Sequence, residues 1–138
     1  MALLNLKNKK IVISAGASGI GWAIAKVCAL KGALIYLCDI DRKALNKVKK
    51  HPLYNKRIFV SETDASNETQ VMDFFNKIKK KFRNLDALIN NAGNMLRGPI
   101  TDLNENKLLE LFHTNVISGM MLTGSAVPHL EKLSLIHI

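Results

Sequence analysis

The feature that most constrains this chain is a change of hydrophobic period hinged on glycines near its start. Lys10 to Ser14 is a short β-branched run, and Ile20, Ile24, Val27 and Cys28 follow at helical spacing. Between them stands Ser14-Ala15-Gly16-Ala17-Ser18-Gly19-Ile20-Gly21, a G-x-x-G-x-G turn that opens the helix. Glycines permit a tight reversal at such a place and let other groups come close to the backbone. The unit reads as strand, turn, helix.

The same grammar continues downstream. Gly32 closes the first helix, and Leu34 to Cys38 is a continuous apolar run of the kind buried on both faces of a parallel sheet. Residues 42–50 form a short basic helix and Arg57 to Val60 a third strand, while Val71, Phe74, Phe75, Ile78 and Phe82 line one face of a further helix. Leu85 to Ile89 reads as a fourth buried strand, and one long helical stretch runs from about Asn104 to about Leu130. Alternating strands and helices with short connections predict a doubly wound parallel α/β sheet, a Rossmann fold with right-handed crossovers, truncated after about four to five strands. No repeat or linker divides the chain, so residues 1–132 are read as part of a single domain.

The formal charge of +9 raises the question of a nucleic-acid partner, and the placement of the lysines argues against one. They fall in short groups at Lys7, Lys9 and Lys10, at Lys47, Lys49 and Lys50, and at Lys77, Lys79, Lys80 and Lys81. These are helix ends or the approaches to strands, where a cation complements the helix dipole. No stretch approaches the ~20 apolar residues of a membrane span, and no basic segment leads into a long apolar run at the N-terminus. Neither membrane insertion nor secretion is expected. Cys28 and Cys38 fall inside a helix and a strand as small buried hydrophobes, which fits a reducing, cytoplasmic compartment. His51, His113, His129 and His137 lack metal-site spacing, and no metal is expected.

The glycine turn has a chemical reading once Asp39 is considered with it. Backbone N–H groups at the positive end of a helix can approach a pyrophosphate, and an acid about 20 residues past the turn is the spacing of a ribose-binding carboxylate. Asp39 ends the second strand, where it can accept from both adenosine ribose hydroxyls and would repel a 2′-phosphate, so NAD is favoured over NADP. Asp41 suits the cap of the following helix and leaves Asp39 free. Arg42 lies a turn too far on to meet a phosphate, and the more direct positions hold Ser18 and Ile40.

At this point the chain resembles the classical short-chain dehydrogenase/reductase family, whose glycine motif is T-G-x-x-x-G-x-G. Ser14 stands where that motif has Thr and Ala15 where it has the first Gly, with Gly16 beside it to supply flexibility. Asn90-Asn91-Ala92-Gly93, directly after the fourth strand, is similar to the family's N-N-A-G signature. The resemblance implies a segment that steadies the central sheet and sets Asn91, Ala92 and Gly93 against the cofactor's adenosine half. Asp64-Ala65 resembles a D-[VA] pair that contacts the adenine ring. A plain helix cap is the other role open to that Asp, and Ser66 or Asn67 can take it instead. Asn115 resembles the mid-helix Asn that opens the family's Asn-Ser-Tyr-Lys catalytic tetrad. Its implied role is to distort the helix so that a carbonyl holds a water of the proton relay, with Tyr as acid/base and Lys lowering its pKa. The resemblance further implies Gly16, Ser18, Gly19, Ile20, Gly21, Asp39 and Ile40 as cofactor residues, and a small-molecule alcohol or carbonyl as substrate. It also implies a homo-oligomeric parent paired through the helix around Asn115.

The resemblance covers roughly residues 7–132, about the first half of the family's fold. The family's Ser and Tyr-x-x-x-Lys do not occur, since neither Tyr36 nor Tyr54 has a lysine four residues on. The expectation is the cofactor-binding half of an NAD-dependent oxidoreductase, inactive by itself. The competing expectation is a non-catalytic dinucleotide-binding sensor or scaffold of the same fold. Residues 133–138, Leu133-Ser134-Leu135-Ile136-His137-Ile138, read as the translation of CTGTCTCTTATACACATC, a transposase adapter used in sequencing-library preparation. A genuine fifth strand is the alternative. A half sheet leaves a strand edge and a helix face bare, so poor solubility is expected.

Overall fold

The computed structural model describes residues 5–130 and the backbone of residues 135–137. Strands β1 (Lys10–Ser14), β2 (Leu34–Asp39), β3 (Ile58–Glu62), β4 (Ala87–Asn90) and β5 (Leu135–His137) form one sheet in the order β3-β2-β1-β4-β5. Every pairing is parallel. The crossovers are α1 (Gly19–Leu30), α2 (Arg42–Lys49) and α3 (Glu68–Phe82), and after β4 come α4 (Glu105–Phe112) and α5 (Ser118–Ala126).

Strand alternation sorts the core into two layers, one on each face of the sheet. Ile11, Ile13, Ile35, Leu37, Ile58 and Ile89 pack with Ala25, Ala29, Leu45 and Val48 of α1 and α2. Val12, Tyr36, Cys38 and Leu88 face the other way, against Val71, Phe74, Phe75, Ile78 and Phe82 of α3 and Leu122 and Ala126 of α5. This is the doubly wound Rossmann arrangement the sequence predicts. Lys47 and Lys49 sit in the last turn of α2 and Lys79, Lys80 and Lys81 in that of α3, in line with the dipole argument.

From β1 the chain winds outward through β2 to β3, whereas β4 returns to the other side of β1. The carboxyl ends of β1 and β4 therefore flank the crevice where strand order reverses, the place where open α/β sheets take ligands.

Several element boundaries differ from the sequence reading by one or a few residues. The third strand runs on to Glu62, because its register with β2 continues to Asp39↔Glu62. The fourth begins at Ala87 rather than Leu85, since Asp86 turns its carboxylate to the Lys10 N–H and the Lys9 ammonium. The long C-terminal helix is also not uniform. A π-turn over His113–Ile117 joins α4 to α5, marked by the Ser118 N–H donating to His113 O. Leu135–His137 pairs with β4 through Leu88↔Leu135, Ile89↔Ile136 and Asn90↔His137. A short apolar, β-prone segment can take an open parallel edge whatever its origin, so this pairing accommodates either reading of residues 133–138. Residues 131–134 and 138 lie outside the described residues.

Candidate cofactor site

The glycine turn is gripped from two strands. The Gly16 N–H donates to Cys38 O at 3.0 Å and the Ala17 N–H to Asp39 Oδ2 at 3.0 Å, which ties the turn to the end of β2. From β4, the N–H groups of Asn91 and Ala92 both donate to the Ser14 hydroxyl at 3.0 Å. The Asn91 amide also donates to Ser14 O at 3.2 Å and to Ala15 O at 3.0 Å. Cys38 is fully buried under the turn, and burial pushes its thiol up to about 12, well outside the range of a reactive thiolate.

Each motif glycine has its own cause. Gly19 takes φ +53°, the left-handed region that favours glycine. At Gly21 an added Cβ would lie 2.5 Å from Ala15 O and 2.6 Å from Asn91 Nδ2, so the first turn of α1 fits there only without a side chain. Gly16 is excluded from carrying a side chain by Leu37, 2.6 Å from its would-be Cβ. The idea that Gly16 supplies the flexibility lost at position 15 needs correction. The left-handed backbone stays on Ala15 itself, at φ +49°, and its carbonyl accepts from the Asn91 amide.

Asp39 also differs from its sequence reading. Asp41 caps α2, accepting from the N–H groups of Lys43 and Ala44. Asp39 is nevertheless not free: it is buried, with Oδ2 accepting from Ala17 and Oδ1 from the Asp41 N–H at 3.0 Å. Each carboxylate oxygen has two lone pairs, so both can still accept a hydroxyl from the cleft. Arg42 points elsewhere, paired with Glu62 at 2.7 Å on the surface.

Helix α1 begins in an unusual way for this chain. Asp41, Asn67 and Asn104 each accept from backbone N–H groups at the starts of α2, α3 and α4. Ser18 occupies the same position on α1 and makes no side-chain cap. The first N–H groups of a helix have no intrahelical acceptor, so those at the start of α1 are left for an anion at the dipole's positive end. No acidic residue stands in that first turn. Ile20 is exposed beside it, as is Ile40 at the end of β2.

A cleft of about 210 Å³ opens at the crevice, lined in part by Ser18, Asp39, Ile40, Asp64, Ala65, Ala92 and Gly93. Seven residues singled out from four separate segments of the sequence thus meet in one cavity. Gly16, Gly19, Ile20, Gly21 and Asn91 shape the turn beside it. Asp64 folds back on itself, its Oδ1 accepting from the N–H and hydroxyl of Ser66, while Asn67 caps α3 by accepting from the Gln70 N–H. The plain capping role is therefore filled without Asp64.

Asn115 lies in the π-turn. Its Oδ1 accepts from the Asn94 N–H at 2.6 Å and its Nδ2 donates to Asn94 O at 2.8 Å. The side chain fixes the loop after β4 to the helix, and single-turn π-bulges are frequent at functional sites. Sequence reasoning missed the polar lining contributed by Thr63, Ser66, Thr114 and Ser118. Ser and Thr near helices are too common to have signalled it. It also passed over the role of Ser14, whose hydroxyl joins β1 to the segment after β4.

Comparison with known proteins agrees with this geometry. The family model for short chain dehydrogenases matches residues 9–135. An uncharacterized oxidoreductase of Staphylococcus saprophyticus is 29% identical over 99% of this chain and 59% of its own length. The CLA biosynthesis dehydrogenase/reductase of Lactiplantibacillus plantarum is 31% identical over 90% of this chain and 44% of its own. Among solved structures, a short-chain dehydrogenase/reductase of Brucella melitensis superposes with a TM-score of 0.90 at 24% identity, covering 96% of this chain and 57% of that one. A Serratia marcescens short-chain dehydrogenase/reductase variant gives 0.88 at 24% identity. The chain belongs to the short-chain dehydrogenase family. It spans about half the length of the curated relatives it matches.

Proposed function

We propose that this chain is the cofactor-binding half of an NAD-dependent oxidoreductase that interconverts a hydroxyl and a carbonyl on a small molecule. The observation that carries the reading is the convergence of Ser18, Asp39, Ile40, Asp64, Ala65, Ala92 and Gly93 on one cleft beside an uncapped helix start. When bound, a nicotinamide dinucleotide supplies the hydride chemistry, and the protein supplies position. The N–H groups at Gly19, Ile20 and Gly21 receive phosphate oxygens, while Gly16 and Asn91 keep the turn in shape. Asp39 accepts the adenosine ribose hydroxyls, and its charge opposes a 2′-phosphate, which favours NAD. Asp64, Ala65, Ala92 and Gly93 form the wall against the adenosine half.

Asn115 acts as a positioning residue, through the π-turn and its hold on Asn94. No Tyr-x-x-x-Lys pair occurs in the sequence, so the chain alone does not turn over. The parent works in the reducing cytoplasm, as the two free cysteines favour. No helix among the described residues is long and apolar enough to cross a membrane. Homo-oligomerisation of the parent is supported by exposed Leu109, Phe112, Val116 and Met120 along α4, the π-turn and α5.

The test is the uninterrupted reading frame past Lys132. A Ser followed by Tyr-x-x-x-Lys, with Leu133 to Ile138 absent from the native frame, is the expected result. A frame that ends at Ile138 would leave a dinucleotide-binding sensor or scaffold in place of an enzyme.

A further inference from the structure

The most confined group in the turn is the peptide of Ala15. A residue with a Cβ seldom holds φ near +49°, and such strain persists only where the surroundings over-determine it. Here they do so from two sides. The Asn91 amide donates to Ala15 O at 3.0 Å and to Ser14 O at 3.2 Å. On the opposite flank Gly21 approaches so closely that a Cβ there would sit 2.5 Å from the same Ala15 oxygen. The carbonyl is trapped between an amide on the far side of β1 and the first turn of α1.

We propose that Asn91 is a positioning residue whose amide holds Ala15 in the left-handed conformation, so that the shape of the cofactor turn depends on Asn91 because position 15 is not glycine. Without that bond Ala15 relaxes to negative φ, the peptide on either side rotates, and Gly16 to Gly19 shift with it. The N–H groups at the start of α1 then lose their common aim. Glycine at position 15 has no preference against positive φ and therefore needs no such hold. The coupling joins residues 76 positions apart in sequence across two neighbouring strands.

This inference rests on the cofactor reading only for its effect on binding, and the test separates the two. In the full-length protein, Ala15→Gly, Asn91→Ala and the double variant are compared by NADH titration and by thermal unfolding. Asn91→Ala is expected to bind NADH about tenfold more weakly than the unaltered protein, with Ala15→Gly as the reference for the double variant. The double variant is expected to recover at least about threefold of that loss, with a matching recovery in Tm, because contacting residues couple. Losses that simply multiply, with no recovery in Tm, would show that Asn91 does not act through Ala15 and would overturn the proposal. An unaltered protein that binds no nicotinamide dinucleotide would sink the cofactor reading, while the Tm cycle would still decide this one. Should Asn91→Ala fail to fold, Asn91→Asp serves in the same cycle. It keeps the size and replaces the donor with an oxygen facing two carbonyls.

Discussion

Helices α3 and α4 use their apolar residues in opposite ways. Helix α3 buries Val71, Phe74, Phe75, Ile78 and Phe82 against the sheet. Helix α4 buries nothing among the described residues, and Phe112 at its end is 59% exposed. Leu109, Phe112, Val116 and Met120 recur at helical spacing on the α4–α5 arm and face outward. Helix α3 is satisfied against the sheet, beside the strands whose ends carry the cleft. The arm is anchored through Leu122 and Ala126 of α5 in the core, through the Asn90 amide donating to the Thr123 hydroxyl, and through Asn115 to Asn94, and it leaves the α4 side exposed. The cleft takes part of its lining from the arm as well, through Thr114 and Ser118, while the exposed apolar row lies on the arm alone.

The largest expected effect tests that contrast directly. Phe74→Ala in the fully buried layer should cost about 3–5 kcal/mol in urea unfolding. Phe112→Ala should cost under about 0.5 kcal/mol in the monomer and should weaken only self-association. Equal losses in the monomer would erase the distinction. Next in size is Gly21→Ala, which forces a methyl against Ala15 O and the Asn91 amide. A loss of about 1–3 kcal/mol, together with failure of NADH to bind, is expected. Unchanged binding would mean that the turn does not need this close approach.

Smaller effects sharpen the contrast among helix starts. Asn67→Ala should lower stability by about 1 kcal/mol, as loss of a cap does. Ser18→Ala at the uncapped start of α1 should change the cofactor-free protein by under about 0.5 kcal/mol. The smallest effect concerns Asp86. Partial burial pushes its carboxyl up, but the Lys9 ammonium and the Lys10 N–H outweigh this and hold it below its ordinary value of 3.8. A depressed carboxyl contributes stability that is present above the unfolded value and lost as pH falls through the folded one. Asp86→Asn should therefore lower Tm slightly at neutral pH, where the charged carboxylate contributes, and flatten the decline of Tm below about pH 4.

Much of this architecture is legible in the sequence because its signals are local. The runs Lys10 to Ser14 and Leu34 to Cys38 fix β1 and most of β2, and the spacing of Phe74, Phe75 and Ile78 fixes the buried face of α3. Asp41 as the cap of α2 follows from its place before a basic helix. What the sequence conceals depends on contacts between distant segments. The left-handed Ala15 is set by Asn91, and the two backbone donors to Asp39 come from the turn and from Asp41. Likewise, the π-turn at Asn115 breaks no hydrophobic period, since His113 to Ile117 still reads as helix. Only the family resemblance, which implies a helix-distorting Asn115, anticipates this turn, and the pairing of its amide with Asn94 shows how the side chain is held.

Asp39 is the residue proposed to choose the cofactor, so the decisive measurement is a parallel titration of NADH and NADPH into the full-length protein. NADH is predicted to bind at least about tenfold more tightly, a difference of about 1.4 kcal/mol from one ribose hydroxyl against a phosphate. NADPH binding as tightly as NADH, or more so, would contradict the role given to Asp39 and with it the reading of this cleft as an NAD site.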